Sequence, residues 1–143
     1  LKLGYDQILS LDDPEIEKKL LLSTENVGFD VAYDCIGGEH FSKLINCVKP
    51  RGIIVNYGNL NLNHAEVFTL PLLSKRILIK FHSIFDTTRN NIERRKGVSW
   101  INNKLEAGVL KPIIAKIFKL DEIVEAHRYL DKGGHLGKTI VIP

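Results

Sequence analysis

Gly28-Phe29-Asp30-Val31-Ala32-Tyr33-Asp34-Cys35-Ile36-Gly37-Gly38 decides the fold. Phe29 to Ile36 is nearly all apolar apart from Asp30 and Asp34, and this predicts a strand. Gly37-Gly38 turns the chain into a helix, in which Phe41, Leu44, Ile45 and Val48 recur at i, i+3, i+4 and i+7 as one apolar face. Pro50-Arg51-Gly52 is expected to stop that helix. Ile53-Ile54-Val55-Asn56-Tyr57 then reads as a second strand, closed by Gly58. Its continuous apolar start predicts burial on both faces, as in a parallel sheet.

The reading extends outward in both directions. Upstream, Tyr5 to Leu9 reads as a short strand, and Asp13-Pro14 as a helix start running to about Leu22. Downstream, a short helix is expected to end near Ser74, and Ile77 to Ile84 reads as another strand. A long helix covers roughly Asn90 to Ala107, with Gly108 at its C-terminal cap. Ile113 to Phe118 is a strand. Asp121 is expected to cap a helix with Ile123, Ala126, His127 and Leu130 on one face, His127 being read as a packed core histidine. Gly133-Gly134 breaks that helix, and Lys138 to Ile142 is a closing strand. Strand, helix, strand, connection, strand is the pattern of a doubly wound α/β sheet.

The totals set bounds on function. A length of 143 residues suits one domain, 44% hydrophobic residues suffice for a core, and a net charge of +3 is too small to argue for nucleic acid. The basic residues Arg89, Arg94, Arg95 and Lys96 alternate with Asn90, Asn91 and Glu93, as on the solvated face of a helix. No apolar run approaches the roughly 18–20 residues needed to span a membrane, and no signal peptide is visible. Cys35 and Cys47 sit in apolar surroundings and read as reduced thiols of a cytoplasmic protein. The chain begins at Leu1 and contains no Met, which predicts a processed or cleaved end.

In open α/β sheets, ligands bind at the carboxyl ends of strands. That rule selects Cys35-Ile36-Gly37-Gly38, Tyr57-Gly58-Asn59 and His82-Ser83-Ile84. Glycine there lets a ligand approach the backbone, although glycine equally suits a tight strand-to-helix turn. His82, at a strand end, is the histidine best placed for function.

The ordered set of segments resembles the medium-chain dehydrogenase/reductase superfamily, above all its zinc-free quinone reductases. Gly28 to Gly38 looks like the fourth strand of that family's cofactor domain, and Arg51 to Asn59 like the fifth with its glycine end. Leu3-Gly4-Tyr5-Asp6-Gln7-Ile8 fits the third. Leu110-Lys111-Pro112-Ile113-Ile114, Phe118 to Glu122 and Glu125-Ala126-His127 resemble the return to the catalytic domain. Gly137 to Ile142 resembles its closing strand.

The resemblance implies a partial Rossmann-type doubly wound parallel sheet (strands three to six) over residues 1–108. Residues 109–143 would be the C-terminal segment of a GroES-like catalytic domain. It implies hydride transfer from NADP, with NAD the alternative, to a quinone, enone or carbonyl. The implied cofactor contacts are Ile36, Gly37, Tyr57, Gly58, Asn59, His82, Ser83, Ile84 and Lys138. No catalytic residue and no metal ligand is assigned. A small-molecule substrate and a homodimer paired through Ile77 to Ile84 are expected.

The family's glycine fingerprint and first two strands are missing from this sequence. A fragment that is inactive alone, and that either folds poorly or differently alone or pairs with a missing piece, is therefore expected. The alternatives are an enoyl reductase domain of a polyketide or fatty-acid synthase, a zinc alcohol dehydrogenase, and a non-catalytic nucleotide-binding protein.

Some motifs mislead. Gly133-Gly134-His135-Leu136-Gly137-Lys138-Thr139 imitates a phosphate loop, but Lys132 stands where the first glycine belongs, and the segment leads from a helix into a strand. The histidines show no metal spacing. Asp34 ends a strand, yet the ribose-binding acid belongs after the absent second strand. Leu11 replaces the tyrosine that quinone reductases often carry near the adenosine.

Overall fold

The computed structural model describes residues 4–143. It is an α/β fold with parallel sheets, in two compact units, residues 1–87 and 88–143. Helix Asn91–Glu106 falls in the second unit.

The first unit runs α1 (Ile16–Leu22), β1 (Phe29–Asp34), α2 (Glu39–Cys47), β2 (Val48–Asn56), α3 (Thr69–Lys75), β3 (Leu78–Phe81) and α4, which begins at Ile84. The strands form one parallel sheet in the order β1-β2-β3. Ala32, Ile54 and Ile79 form one row across it and pack with Phe41, Leu44 and Ile45 of α2 and Leu72 of α3. Ile54 is fully buried. Burying such a side chain contributes roughly 1.5–3 kcal/mol, so this face of the sheet carries the core. The adjacent row, Tyr33, Val55 and Lys80, belongs to the opposite face, where Tyr33 is 73% exposed. The expected burial on both faces holds for one.

Several boundaries differ from those expected. Tyr5 to Leu9 forms no strand, because no described segment pairs with it. β1 stops at Asp34 rather than Ile36, because the Asp34 side chain takes the next N–H groups. β2 starts at Val48, ahead of the expected Ile53. Pro50-Arg51-Gly52 does not terminate the chain's pairing but forms a bulge. The ladder jumps from Phe29–Val48 to Val31–Ile53, and Arg51 adopts a left-handed φ of 64°. An ion pair between Lys49 and Asp30 crosses the bulge and lowers the Asp30 pKa. β3 ends at Phe81, and Ile84 opens a helix instead of closing a strand.

Lys75 fastens the first unit. Its ammonium donates to the carbonyl oxygens of Ile45 (3.2 Å), Asn46 (2.7 Å) and Val48 (3.0 Å), which the end of α2 leaves free. Cys47, buried beside it, has its thiol pKa pushed up to about 11, chiefly by burial.

The second unit contains α5 (Asn91–Glu106), β4 (Ile114–Lys119), α6 (Ile123–Lys132) and β5 (Lys138–Ile142). Asn90 caps α5 as its position predicts, accepting from the N–H groups of Ile92 (2.9 Å) and Glu93 (3.2 Å). β4 and β5 pair in parallel. Phe118 and Ala126 are buried, and the Tyr129 ring lies 5.7 Å from that of Phe118 and 4.7 Å from that of His135. Asp121 does not cap α6: Glu122 holds that position without a side-chain cap, and its carboxylate instead accepts the Lys119 N–H at 2.9 Å across the short 3-10 turn Leu120–Glu122. His127 is exposed, not a core residue. Its face of α6 lines a shallow cavity of about 280 Å³ with Ile123, Ala126 and Leu130. Among the described residues no helix is long and apolar enough to cross a membrane.

Candidate functional site

The carboxyl ends of β1, β2 and β3 are tied together through one buried acid. Asp34 is 4% exposed, the only buried polar side chain among the described residues. A buried carboxylate must be hydrogen-bonded or it destabilises the fold. Here Oδ1 accepts the N–H groups of Ile36 at 2.9 Å and Gly37 at 3.1 Å, and Oδ2 accepts the Asn56 side-chain amide at 2.9 Å. That amide also donates to the Gly58 carbonyl at 3.0 Å. The Asp34 backbone carbonyl accepts the Tyr57 N–H at 2.8 Å, and the Asn56 carbonyl accepts the His82 N–H at 2.9 Å. All three segments selected by sequence thus hang on Asp34 and Asn56.

The glycines have structural reasons of their own. Gly37 has φ +70°, and a Cβ there would collide with Asn59 Oδ1. A Cβ on Gly58 would lie 2.8 Å from the Cys35 carbonyl oxygen. Both the backbone conformation and the close approach call for glycine before any ligand arrives.

Asp34, Asn56 and Phe81 form the row that follows Ala32, Ile54 and Ile79 on the core face. Above that row opens a cleft of about 280 Å³, whose lining includes Gly37, Phe41, Asn56, Asn59, His64 and Phe81. Ile36 lines a separate apolar cavity of about 140 Å³, with Leu11 and Leu44 in its wall. Tyr57 begins the turn after β2 and is half exposed, and the hydrogen bond between its phenol and the Cys35 side chain raises the phenol pKa. The side chains of His82, Ser83 and Ile84 are exposed, with His82 held by its backbone bond. Lys138 opens β5 in the second unit, where its N–H donates to the Ile113 carbonyl at 2.8 Å.

Sequence reasoning missed Asp34, Asn56, His64 and Phe81. An acid at the last position of a strand, three residues before a pair of glycines, was the available signal for the first. Among the described residues no group of three or more His, Cys, Asp or Glu is arranged to hold a metal ion.

Comparison with known proteins agrees with the fold. The chain is 26% identical over 144 residues to a 2-haloacrylate reductase of a Burkholderia species, matching 99% of this chain and 43% of that protein. The crystal structure of 2-haloacrylate reductase superposes with a TM-score of 0.82 over 99% of this chain. A quinone oxidoreductase of Pseudomonas syringae pv. Tomato DC3000 has the same fold, with a TM-score of 0.81 and 23% identity over 99% of this chain and 44% of its own. A highly reducing polyketide synthase of Cordyceps militaris is 25% identical over 95% of this chain, which covers 5% of that protein. The chain spans less than half the length of each of these relatives. The family model described as zinc-binding dehydrogenase matches residues 3–141, and the chain belongs to that family.

Proposed function

We propose that this chain is part of an NADP-dependent reductase that delivers hydride to an electron-poor carbon–carbon double bond, a quinone or a carbonyl. The observation that carries the reading is the joining of three parallel strand ends at one cleft by Asp34 and Asn56. Nucleotides bind α/β sheets at such ends. The likeness to a 2-haloacrylate reductase along 99% of the chain supports the reaction class.

The cleft suits a nicotinamide nucleotide in its chemistry. The amides of Asn56 and Asn59 offer donors and acceptors, and Phe41 and Phe81 offer apolar walls. When bound, the cofactor supplies the hydride. The chain binds and orients it, and the aromatic walls exclude water from the reacting atoms. Gly37, Gly58 and Asn59 would lie along the nucleotide, Ile36 toward the adenosine, Tyr57 beside the ribose, and His82, Ser83 and Ile84 near the ring, with Lys138 contributing from the return segment. Residues 1–108 would be the cofactor part and 109–143 the return to the catalytic domain. NADP rather than NAD, a homodimer and a cytoplasmic location complete the proposal.

The test is nicotinamide oxidation by the full-length enzyme containing this chain, with NADPH and NADH in turn. A 2-haloacrylate, a simple quinone and an enone serve as acceptors. NADPH-dependent reduction of at least one acceptor is expected; absence of both nucleotide binding and turnover would sink the reading. The polyketide synthase match favours a second reading, an enoyl reductase domain. The size of the polypeptide in which this chain is expressed separates the two.

A further inference from the structure

We infer that Asp34 is a positioning residue for the cofactor cleft, acting through Asn56, and not merely a buried acid that closes a strand. The inference rests on the nucleotide-binding reading above and deepens it. Asp34 is 4% exposed and is joined to the cleft through Asn56, which lines it. Its carboxylate fixes the backbone of Ile36 and Gly37 on one side and the Asn56 amide on the other. Both hydrogens of the Asn56 amide are aligned by this arrangement, because a second bond runs from Nδ2 to the Gly58 carbonyl. The path from β1 to β2 is thus carboxylate, amide, carbonyl, and it ends at the glycine of the β2 turn. From there the Asn56 backbone carbonyl reaches His82. Asn56 is also the member of the network that lines the cleft.

The direction of each bond matters. A carboxylate at 34 can only accept, and the two backbone N–H groups and the Asn56 Nδ2 can only donate. Asp34→Asn keeps the volume and the acceptor for Ile36 and Gly37, but turns a second amide N–H toward Asn56. Two donors then face each other, and Asn56 must rotate, releasing Gly58. Asn56→Asp places two carboxylates together and removes the donor to Gly58. The exchanged pair, Asp34→Asn with Asn56→Asp, restores one donor and one acceptor at the contact, but turns a carboxylate oxygen toward the Gly58 carbonyl in place of the bond made there.

The experiment uses the full-length enzyme and measures nucleotide affinity, KM for cofactor, KM for acceptor, kcat and thermal midpoint for the four proteins. Binding by the unsubstituted enzyme is measured first; its absence refutes the nucleotide-binding reading itself. Given binding, Asp34→Asn is expected to raise the cofactor Kd and KM about tenfold, the scale of one misdirected hydrogen bond to a charged group, with acceptor KM unchanged. The exchanged pair, which like Asp34→Asn lacks the bond to Gly58, should bind cofactor more tightly than Asn56→Asp, in which two carboxylates face each other. A role confined to folding would instead lower the thermal midpoint and the active fraction, leaving the cofactor KM of the folded enzyme unmoved, and that result overturns the inference. So does an exchanged pair no better than the worse single variant. Should Asp34→Asn not fold, Asn56→Ala, which leaves the bonds from Ile36 and Gly37 in place, must raise the cofactor KM for the inference to stand.

Discussion

Gly58 rests directly on the backbone of Cys35: a Cβ on Gly58 would lie 2.8 Å from the Cys35 carbonyl oxygen and 3.2 Å from its Cα. The obstacle is backbone in the middle of the site, so no side-chain rotation relieves it. Gly58→Ala is expected to cost about 1–3 kcal/mol of stability and to weaken nucleotide binding by prising the β1 and β2 ends apart. Chemical denaturation with a parallel binding titration checks both.

Gly37 makes the opposite case. Its added Cβ would meet the Asn59 side chain, which can move away. Gly37→Ala should therefore be partly rescued by Asn59→Ala, leaving about 1 kcal/mol for a non-glycine residue at φ +70°. A double-mutant cycle on thermal stability reads the coupling, and strict additivity would contradict the contact.

Lys75 predicts a stability effect without a catalytic one. Its three bonds to the carbonyls of Ile45, Asn46 and Val48 cap α2. Lys75→Met keeps the aliphatic stem and removes the donors, and should cost about 1–3 kcal/mol while leaving the cofactor KM unaltered. A denaturant midpoint shift without a kinetic change is the expected result.

The two cysteines should differ in reactivity. Cys47 is buried with a pKa pushed up to about 11, so at neutral pH a thiol reagent should label the half-buried Cys35 first. The folded-state pKa lies above the ordinary value of 9.0. The protonated thiol is thus the form the fold favours. Its contribution is complete below pH 9 and is lost as pH rises toward 11. Cys47→Ala should flatten that part of the stability-against-pH curve.

Much of the fold was legible because period and punctuation agreed. Phe29 to Ile36 is apolar apart from Asp30 and Asp34 and is followed by two glycines. Phe41, Leu44 and Ile45 share a helical face. Asn90 stands where a helix needs an acceptor. The errors came where one residue type has two uses. Pro50-Arg51-Gly52 looks like a helix stop, and it is also what a bulged strand edge accommodates. Tyr5 to Leu9 has strand-like residues, but a strand exists only with a partner, which local sequence does not supply. The site was legible as a place, the strand ends, and not as a mechanism of assembly. Asp34 and Asn56 are 22 positions apart in the chain, and only the parallel register sets them side by side. Glycine spacing drew attention to the turns, while the side chains that hold those turns carried no motif.

The bulge at the start of β2 has a consequence for how this sequence tolerates changes in length. Above it, Phe29 pairs with Val48; below it, Val31 pairs with Ile53, and the ladder then runs without a break to Asp34 and Asn56. Lys49, Pro50, Arg51 and Gly52 are the extra residues that lie between the pair at Val48 and the part of the strand that carries the site, and the Lys49–Asp30 ion pair spans them. A residue inserted or deleted there changes the size of the bulge and leaves the pairing beyond it intact. The same change after Ile53 would slide Asn56 off Asp34 and turn its amide to the other side of the sheet. Insertions and deletions should therefore be accepted at 49–52 and rejected at 53–56, a boundary drawn within a single strand.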